Sequence, residues 1–294
     1  MFKRALSTLV LWTALIVLLS KFGRPAAVIF TTILAVLTQY EFYGMLEKMG
    51  QRPFRKLGLL IGAAMLLVPY ALRTVPALSA GWQNLGSDGG VPLLSGPMAA
   101  LMALAVVACC VRILWARDPE TRVETLASTL FGIAYVPFMF HFVIEIFFLS
   151  PNANQGLMMV VWLTAVVKFC DVGALLVGTA IGRHKMSPTI SPKKSWEGLI
   201  GGLLVSAGVG AALVHFSKPY NLYPESFSIL WAAVAAIPIA LLGVLSDLVE
   251  SMIKRRADIK DSGKTVPGIG GAFDLTDSVI LSAPAAYVLF AFFV

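Results

Sequence analysis

Charge is what this chain has least of. Of its 294 residues only 13% are Asp, Glu, Lys or Arg, whereas 58% are hydrophobic and the mean hydropathy is +0.82. A water-soluble domain of this length has no use for so much apolar surface, so the composition excludes that class and indicates an integral membrane protein. Histidine and cysteine are scarcer still, at three each, and no C-x-x-C spacing occurs. That excludes a His/Cys metal set. Cys109, Cys110 and Cys170 lie inside apolar runs, where a thiol packs as a small core residue rather than pairing in a disulfide. No internal repeat and no soluble domain is apparent. The 23 basic residues outnumber the 16 acidic ones. In a membrane protein that excess marks cytoplasmic loops and a site for anions, so nucleic acid is not expected as a partner.

A spanning helix needs about 20 apolar residues. On that measure the candidates are 5–20, 26–46, 57–72, 92–116, 124–149, 157–182, 199–216, 228–249 and 277–294. The expected fold is therefore all-α, a polytopic transmembrane helix bundle of about nine spans. It forms a single integral membrane domain over 1–294, with N-terminal helices over about 1–150 and catalytic helices and cytoplasmic loops over about 157–294. The start, Lys3-Arg4 before an apolar run, resembles a signal peptide. The following S-K-F-G-R-P-A-A is a poor cleavage site, so a retained first span is expected. Loop charges test the count. With the N-terminus in the cytoplasm, that side receives Lys3 and Arg4, Lys48, Arg52, Arg55 and Lys56, and then Arg112, Arg117 and Arg122. It also receives Arg183, Lys185, Lys193 and Lys194, and the group Lys254, Arg255, Arg256, Lys260 and Lys264. These are 18 of the 23 basic residues. The asymmetry fits the positive-inside rule and places the chain in the cell inner membrane with its charged loops facing the cytoplasm.

Ionisable groups inside spans are costly and point to function. Glu41, Asp171, Asp247 and Glu250 fall in the cytoplasmic halves of their helices or at the edge, and Asp274 and Asp277 open the last helix from the same side. Together they are positioned to line one cavity open to the cytoplasm. Asp171 follows Lys168 by three residues, so a simple intrahelical ion pair is an equal alternative there. Glu145, four residues after His141 near the outer end of its helix, reads as an interfacial pair. The segment 246–278 reads S-D-L-V-E-S-M-I-K-R-R-A-D-I-K-D-S-G-K-T-V-P-G-I-G-G-A-F-D-L-T-D-S. Asp247, Glu250, Ser251 and Lys254 recur at i, i+3, i+4 and i+7, on one helical face, and Asp274, Asp277 and Ser278 repeat the pattern. Gly263, Gly268, Gly270 and Gly271 between them permit close backbone approach. Carboxylates at helix ends suit Mg²⁺ held together with substrate phosphates. Lysines and arginines neutralise phosphate oxygens, and Gly-rich turns offer N–H groups to the same anions. A solvated basic loop explains the lysines and arginines but not carboxylates on one face. The loop R-H-K-M-S-P-T-I-S-P-K-K-S-W-E-G (183–198) offers Ser191, Lys193, Lys194 and Glu197 to a nucleotide polyphosphate, although taken alone ordinary basic-loop topology is the better account of it.

These residues resemble the phosphatidate cytidylyltransferase (CDP-diacylglycerol synthase) family. The resemblance rests on E-F-Y-G-M-L-E-K-M-G (41–50), on K-F-C-D (168–171) with the loop 183–198, and above all on the long segment from Ser246 to Ser278. It implies the reaction CTP + phosphatidate → CDP-diacylglycerol + pyrophosphate, with CTP and a bilayer lipid as partners and a homodimer as the assembly. It implies Mg²⁺ as cofactor, as one ion or two, with a monovalent cation such as K⁺ as an option. Asp247, Asp274 and Asp277 are the expected metal ligands, joined by Asp171 and Asp261. Ser191, Lys193, Lys194, Glu197, Glu250, Ser251, Gly268, Gly270 and Gly271 are expected around CTP and its phosphates. Lys254, Arg255 and Lys260 would balance pyrophosphate charge, and with Asp171 and Asp261 make the expected catalytic set. The chain departs from the family pattern in having Ile269 in a histidine place, Leu275 in an arginine place, Leu175 where an aromatic is usual, and Ser246 for a frequent glycine. The alternatives are CTP-dependent activation of another lipid phosphate, an anion/proton-coupled secondary transporter, which the missing repeat argues against, and an inactive homologue.

Overall fold

A computed structural model describes the backbone of residues 2–75, 96–115, 121–263, 265 and 270–294, with side chains from Phe22 onward. In hydrocarbon a helix satisfies its own backbone, so apolar runs of this length become helices. Helix α1 (Phe2–Lys48) is bent at Gly23, whose φ of 56° and ψ of −138° suit glycine alone, with Pro25 just beyond. Then come α2 (Arg55–Thr74), α3 (Pro97–Leu114), α4 (Arg122–Tyr135) and α5 (Pro137–Leu149). The break between α4 and α5 falls where Pro137 has no N–H to donate and starts a new helix instead. The chain continues through α6 (Ala153–Ile181), α7 (Trp196–Ser217), α8 (Ile229–Arg256) and α9 (Ala272–Ala291). Side chains of Asn152, Ser195 and Ser228 accept hydrogen bonds from Asn154 N, Gly198 N and Trp231 N and cap α6, α7 and α8.

Among the described residues eight helices are long and apolar enough to cross a membrane, with α4 and α5 forming one such stretch. The ninth expected span, 5–20, is the part of α1 before Gly23, whose side chains lie outside the described residues. Among the described residues one pair of strands departs from an all-helical chain. β1 (Lys185–Ser187) and β2 (Ser191–Ser195) form an antiparallel hairpin joining α6 to α7, with Lys185 opposite Ser195 and Ser187 opposite Ser191.

The chain forms two compact units, Met1–Ala27 with Phe142–Val294, and Val28–His141. In the second of these, Tyr43 O–H donates to Thr129 O at 2.9 Å, and Gln39 Nε2 donates to Gly58 O at 3.0 Å. Gly58 and Gly132 leave the space that the Tyr43 ring fills. Met65, Met98, Ala105, Cys109 and Ile133 make its apolar core, and buried Glu41 belongs to this unit.

The first unit holds α6 to α9. Helices α6 and α7 approach closely because small residues face each other. A Cβ on Gly173 would stand 2.8 Å from the Val205 side chain, and one on Gly202 would stand 2.6 Å from Cys170 O. Polar pins tie the helices. Ser206 Oγ donates to Val166 O at 2.8 Å, Trp162 Nε1 to Gly210 O at 3.1 Å, and Ser282 Oγ to Ile239 O at 3.2 Å. Trp162, Phe227 and Phe290 stack edge to face at the far end of α8 and α9, with centroids 5.3–5.5 Å apart.

This packing predicts opposite signs for two alanine substitutions in α7. Gly202→Ala overpacks the α6–α7 contact and should destabilise by about 1–3 kcal/mol. A Cβ at Gly208 meets nothing within 4 Å, so Gly208→Ala should be neutral or stabilise by up to about 1 kcal/mol. Thermal unfolding of the two variants in detergent checks the ordering, and equal shifts would contradict it.

Candidate active site

Helix α8 continues through Arg256, beyond the apolar stretch that ends near residue 249, and this extension carries Glu250 and Lys254 on the same rod as Asp247. Helix α9 begins at Ala272, so Asp274 lies in its first turn and Asp277 in its second. The two helix ends are joined by residues 257–271, and the ion pairs between them define the site.

Lys254 Nζ lies 2.9 Å from Glu250 Oε2, one turn back on its own helix, and 3.0 Å from Asp274 Oδ1 on α9. Asp274 also accepts from Ser262 N at 3.3 and 3.1 Å and from Gly271 N at 3.1 Å. Its two oxygens thereby cap α9 and hold the Ser262 backbone beside it. Gly270 has a φ of +130°, a conformation open to glycine, and this lets the chain turn into the helix. Asp277 is buried. Its Oδ1 accepts from Lys168 Nζ at 3.0 Å, from Ser278 N at 2.6 Å and from Ser278 Oγ at 3.1 Å. Buried Ser246 Oγ donates to the Asp277 backbone carbonyl, pinning α8 to α9 one residue before Asp247. Asp247 Oδ2 lies 2.7 Å from Lys194 Nζ of the hairpin, and its Oδ1 accepts from Ser251 Oγ at 3.3 Å.

Ligand oxygens of Asp247, Glu250 and Asp277 all lie within 4.8 Å of one another. Glu250 is 1% exposed, and among the described residues its buried Oε1 has no hydrogen-bond donor. A buried carboxyl oxygen so placed is met by a cation or by a proton on the carboxyl group. Asp171 on α6 lies in electrostatic range of Lys168, Lys194, Asp247 and Asp277. Formally ionised, Asp171, Asp247, Glu250, Asp274 and Asp277 exceed Lys168, Lys194 and Lys254 by two negative charges. All-oxygen donors with that excess fit a hard divalent cation.

The residues expected from sequence separate here. Asp247 and Asp277 come together as expected, but the third carboxylate beside them is Glu250, while Asp274 serves as a cap. Lys194 points to the site, whereas Lys193 is exposed, because neighbouring strand residues face opposite ways. Glu197 accepts from Arg183 N and His184 N at 3.2 Å and pairs with His184 Nδ1 at 2.6 Å, closing the base of the hairpin. Ser191 is half-buried in β2, and Arg255, Lys260 and Asp261 are exposed. Gly268 and Ile269 lie outside the described residues, and Leu275 is half-buried on α9. Lys168 bonds to Asp277, 109 residues away, which no local spacing announces.

Lys254 is the shared counter-ion of two carboxylates, so Lys254→Met should destabilise the protein by about 3–5 kcal/mol. Adding Glu250→Gln should recover part of the loss by removing one stranded charge, whereas exposed Arg255→Ala should stay within about 0.5 kcal/mol. Thermal unfolding in detergent measures all three, and a Lys254→Met protein as stable as the parent would contradict the pairing.

The chain matches the model of the cytidylyltransferase family over residues 2–293. It is 33% identical to phosphatidate cytidylyltransferase of Haemophilus influenzae over 180 residues, covering 61% of this chain and 60% of that protein. It is 37% identical to the Rickettsia bellii protein of the same name over 168 residues, 56% of this chain and 70% of the relative. With the Mycobacterium bovis phosphatidate cytidylyltransferase it shares 32% identity over 238 residues, 75% of this chain and 72% of the relative. This multi-pass membrane protein with its carboxylate–lysine cluster belongs to the cytidylyltransferase family.

Proposed function

We propose that this chain transfers CMP from CTP to phosphatidate, giving CDP-diacylglycerol and pyrophosphate, at the cluster around Asp247, Glu250 and Asp277. The observation that carries the reading is that cluster itself: carboxylates and lysines interleaved at the end of an apolar helix bundle, in a chain of cytidylyltransferase ancestry. Basic residues gathered on the loops of one side support a cytoplasmic site in the inner membrane. A homodimer belongs to the same reading and rests on the family resemblance.

A phosphate oxygen of the lipid attacks the α-phosphorus of CTP. The new O–Pα bond forms as the bond from Pα to the β-phosphate bridging oxygen breaks, and pyrophosphate leaves with that electron pair. The lipid phosphate is largely ionised near neutral pH, so no side chain has to take a proton from it. Two anions must meet, and the protein's task is to neutralise and align them. Asp247, Glu250 and Asp277 would hold Mg²⁺, which when bound supplies charge neutralisation and a template for the phosphates. Lys194 faces the site from the aqueous hairpin and is placed to bind the triphosphate. Lys254 and the α9 cap at Asp274 keep the α8 and α9 carboxylates in register. Arg255 and Lys260, exposed at the same end, add positive field for the departing pyrophosphate.

Purified protein in detergent with Mg²⁺, labelled CTP and phosphatidate should form labelled CDP-lipid, and chelation should stop it. No product under conditions where the Haemophilus relative works would remove the proposal. Within an active protein, Lys194→Ala should raise the KM for CTP by about 10-fold to 100-fold, the worth of a charge-assisted phosphate contact. Lys193→Ala should change it by less than about threefold, because Lys193 faces away. The reverse order would contradict the assignment.

A further inference from the structure

Of the three lysines that touch the carboxylate trio, Lys254 shares the helix of Glu250 and bridges it to Asp274, whereas Lys194 and Lys168 come from opposite directions. Lys194 stands on the hairpin, next to Ser195, whose Oγ lies against Gly178 and Gly182 near the end of α6. Lys168 lies ten residues before Gly178 on the same helix, about 15 Å further along the axis and away from the hairpin. Each lysine holds a different member of the trio, Asp247 for Lys194 and Asp277 for Lys168.

Their surroundings differ as much as their positions. Lys194 is flanked by polar hairpin residues. Lys168 interrupts an exposed apolar face. Val161, Val172, Leu175 and Leu176 stand at i−7, i+4, i+7 and i+8 from it, and they are 43%, 47%, 66% and 63% exposed. The Lys168 side chain is itself 33% exposed. It is therefore reachable from the apolar side of α6 while its Nζ touches the carboxylate cluster. Nor is it required as the sole partner of Asp277 Oδ1, which also accepts from Ser278 N and Ser278 Oγ. A lysine inside a span is costly, and one that links a bilayer-facing stripe to a site for phosphate chemistry has a matching ligand: an anionic headgroup carried on apolar chains.

We propose that Lys168 is the residue that binds the phosphate of the lipid substrate, with its acyl chains along the Val161–Leu176 face of α6, while Lys194 serves the nucleotide. This rests on the function proposed above and divides its two anionic substrates between two lysines. Phosphate oxygens would share or replace Asp277 as the partner of the ammonium group, and Asp277 would keep its two donors from Ser278.

Initial rates resolve the division. Phosphatidate is varied as a surface fraction in mixed micelles at saturating CTP, and CTP is varied at saturating phosphatidate, for the parent, Lys168→Met and Lys168→Arg. Lys168→Met should raise the half-saturating phosphatidate fraction about tenfold or more, leave the KM for CTP within about twofold, and be largely rescued in Lys168→Arg. A fall in kcat alone, or a shift confined to CTP, would overturn the inference by making Lys168 a mere counter-ion of Asp277 or a nucleotide ligand. Should Lys168→Met fail to fold, Lys168→Gln carries the test, because loss of the charge should shift the lipid curve and not the CTP curve, and an unchanged lipid curve would overturn the inference. Glycerol 3-phosphate, the same headgroup without chains, should not compete at concentrations matching phosphatidate, and strong competition would contradict a bilayer route. A parent protein with no activity would defeat the proposed function instead, so the two failures are distinct.

Discussion

An uncompensated carboxylate cannot remain ionised inside an apolar bundle without a partner, and most of the site follows from that constraint. Five acids gather where α6, α8, α9 and the hairpin converge, and three lysines reach them from three different elements. Lys254 binds α8 to α9, Lys168 binds α6 to α9, and Lys194 binds the hairpin to α8. The same pairs that neutralise charge also set the geometry. Ser278 supplies two neutral donors to the Asp277 carboxylate, and Ser246 holds the Asp277 backbone carbonyl, so the residue is fixed by more than its lysine. What remains is a buried Glu250 oxygen with no donor among the described residues, at the point where carboxylate oxygens of Asp247 and Asp277 also converge.

The surrounding bundle serves that end. Glycines let α6 and α7 approach closely enough for hydroxyl and indole donors to reach carbonyls of the facing helix, which fixes the rods against which the charges are arrayed. The hairpin gives the site a polar side, and the exposed face of α6 gives it an apolar side. A reaction between a soluble nucleotide and a bilayer lipid needs both, because its substrates live in different solvents.

Much of this was legible in the sequence. Apolar runs are long and their ends are marked by charge, so the helices from α2 to α9 lie close to the runs read from hydropathy. The shared face of Asp247, Glu250 and Lys254 follows from a 3.6-residue period, and α8 keeps it. Other features have no local signature. The hairpin is short and has no marked alternation of apolar and polar residues, so it reads as a loop, and the opposite facing of Lys193 and Lys194 is hidden with it. Asp274 and Glu250 differ little as residue types. Their division into cap and cluster member depends on where α9 begins and on Ser262 and Gly271, which only the folded chain brings together. The bond from Lys168 to Asp277 is of the same kind, since sequence offers Lys168 a nearer partner in Asp171 and only packing of α6 against α9 decides between them.

The central claim is that Asp247, Glu250 and Asp277 form a divalent-cation site whose electrostatic need is built into the fold. Binding of Mn²⁺, followed by loss of the free-ion electron paramagnetic resonance signal and competed by Mg²⁺, tests it without reliance on turnover. The account predicts saturable binding to the parent, marked weakening in Glu250→Gln, and retained binding in Asp274→Asn. Parent-like binding in Glu250→Gln together with complete loss in Asp274→Asn would contradict it.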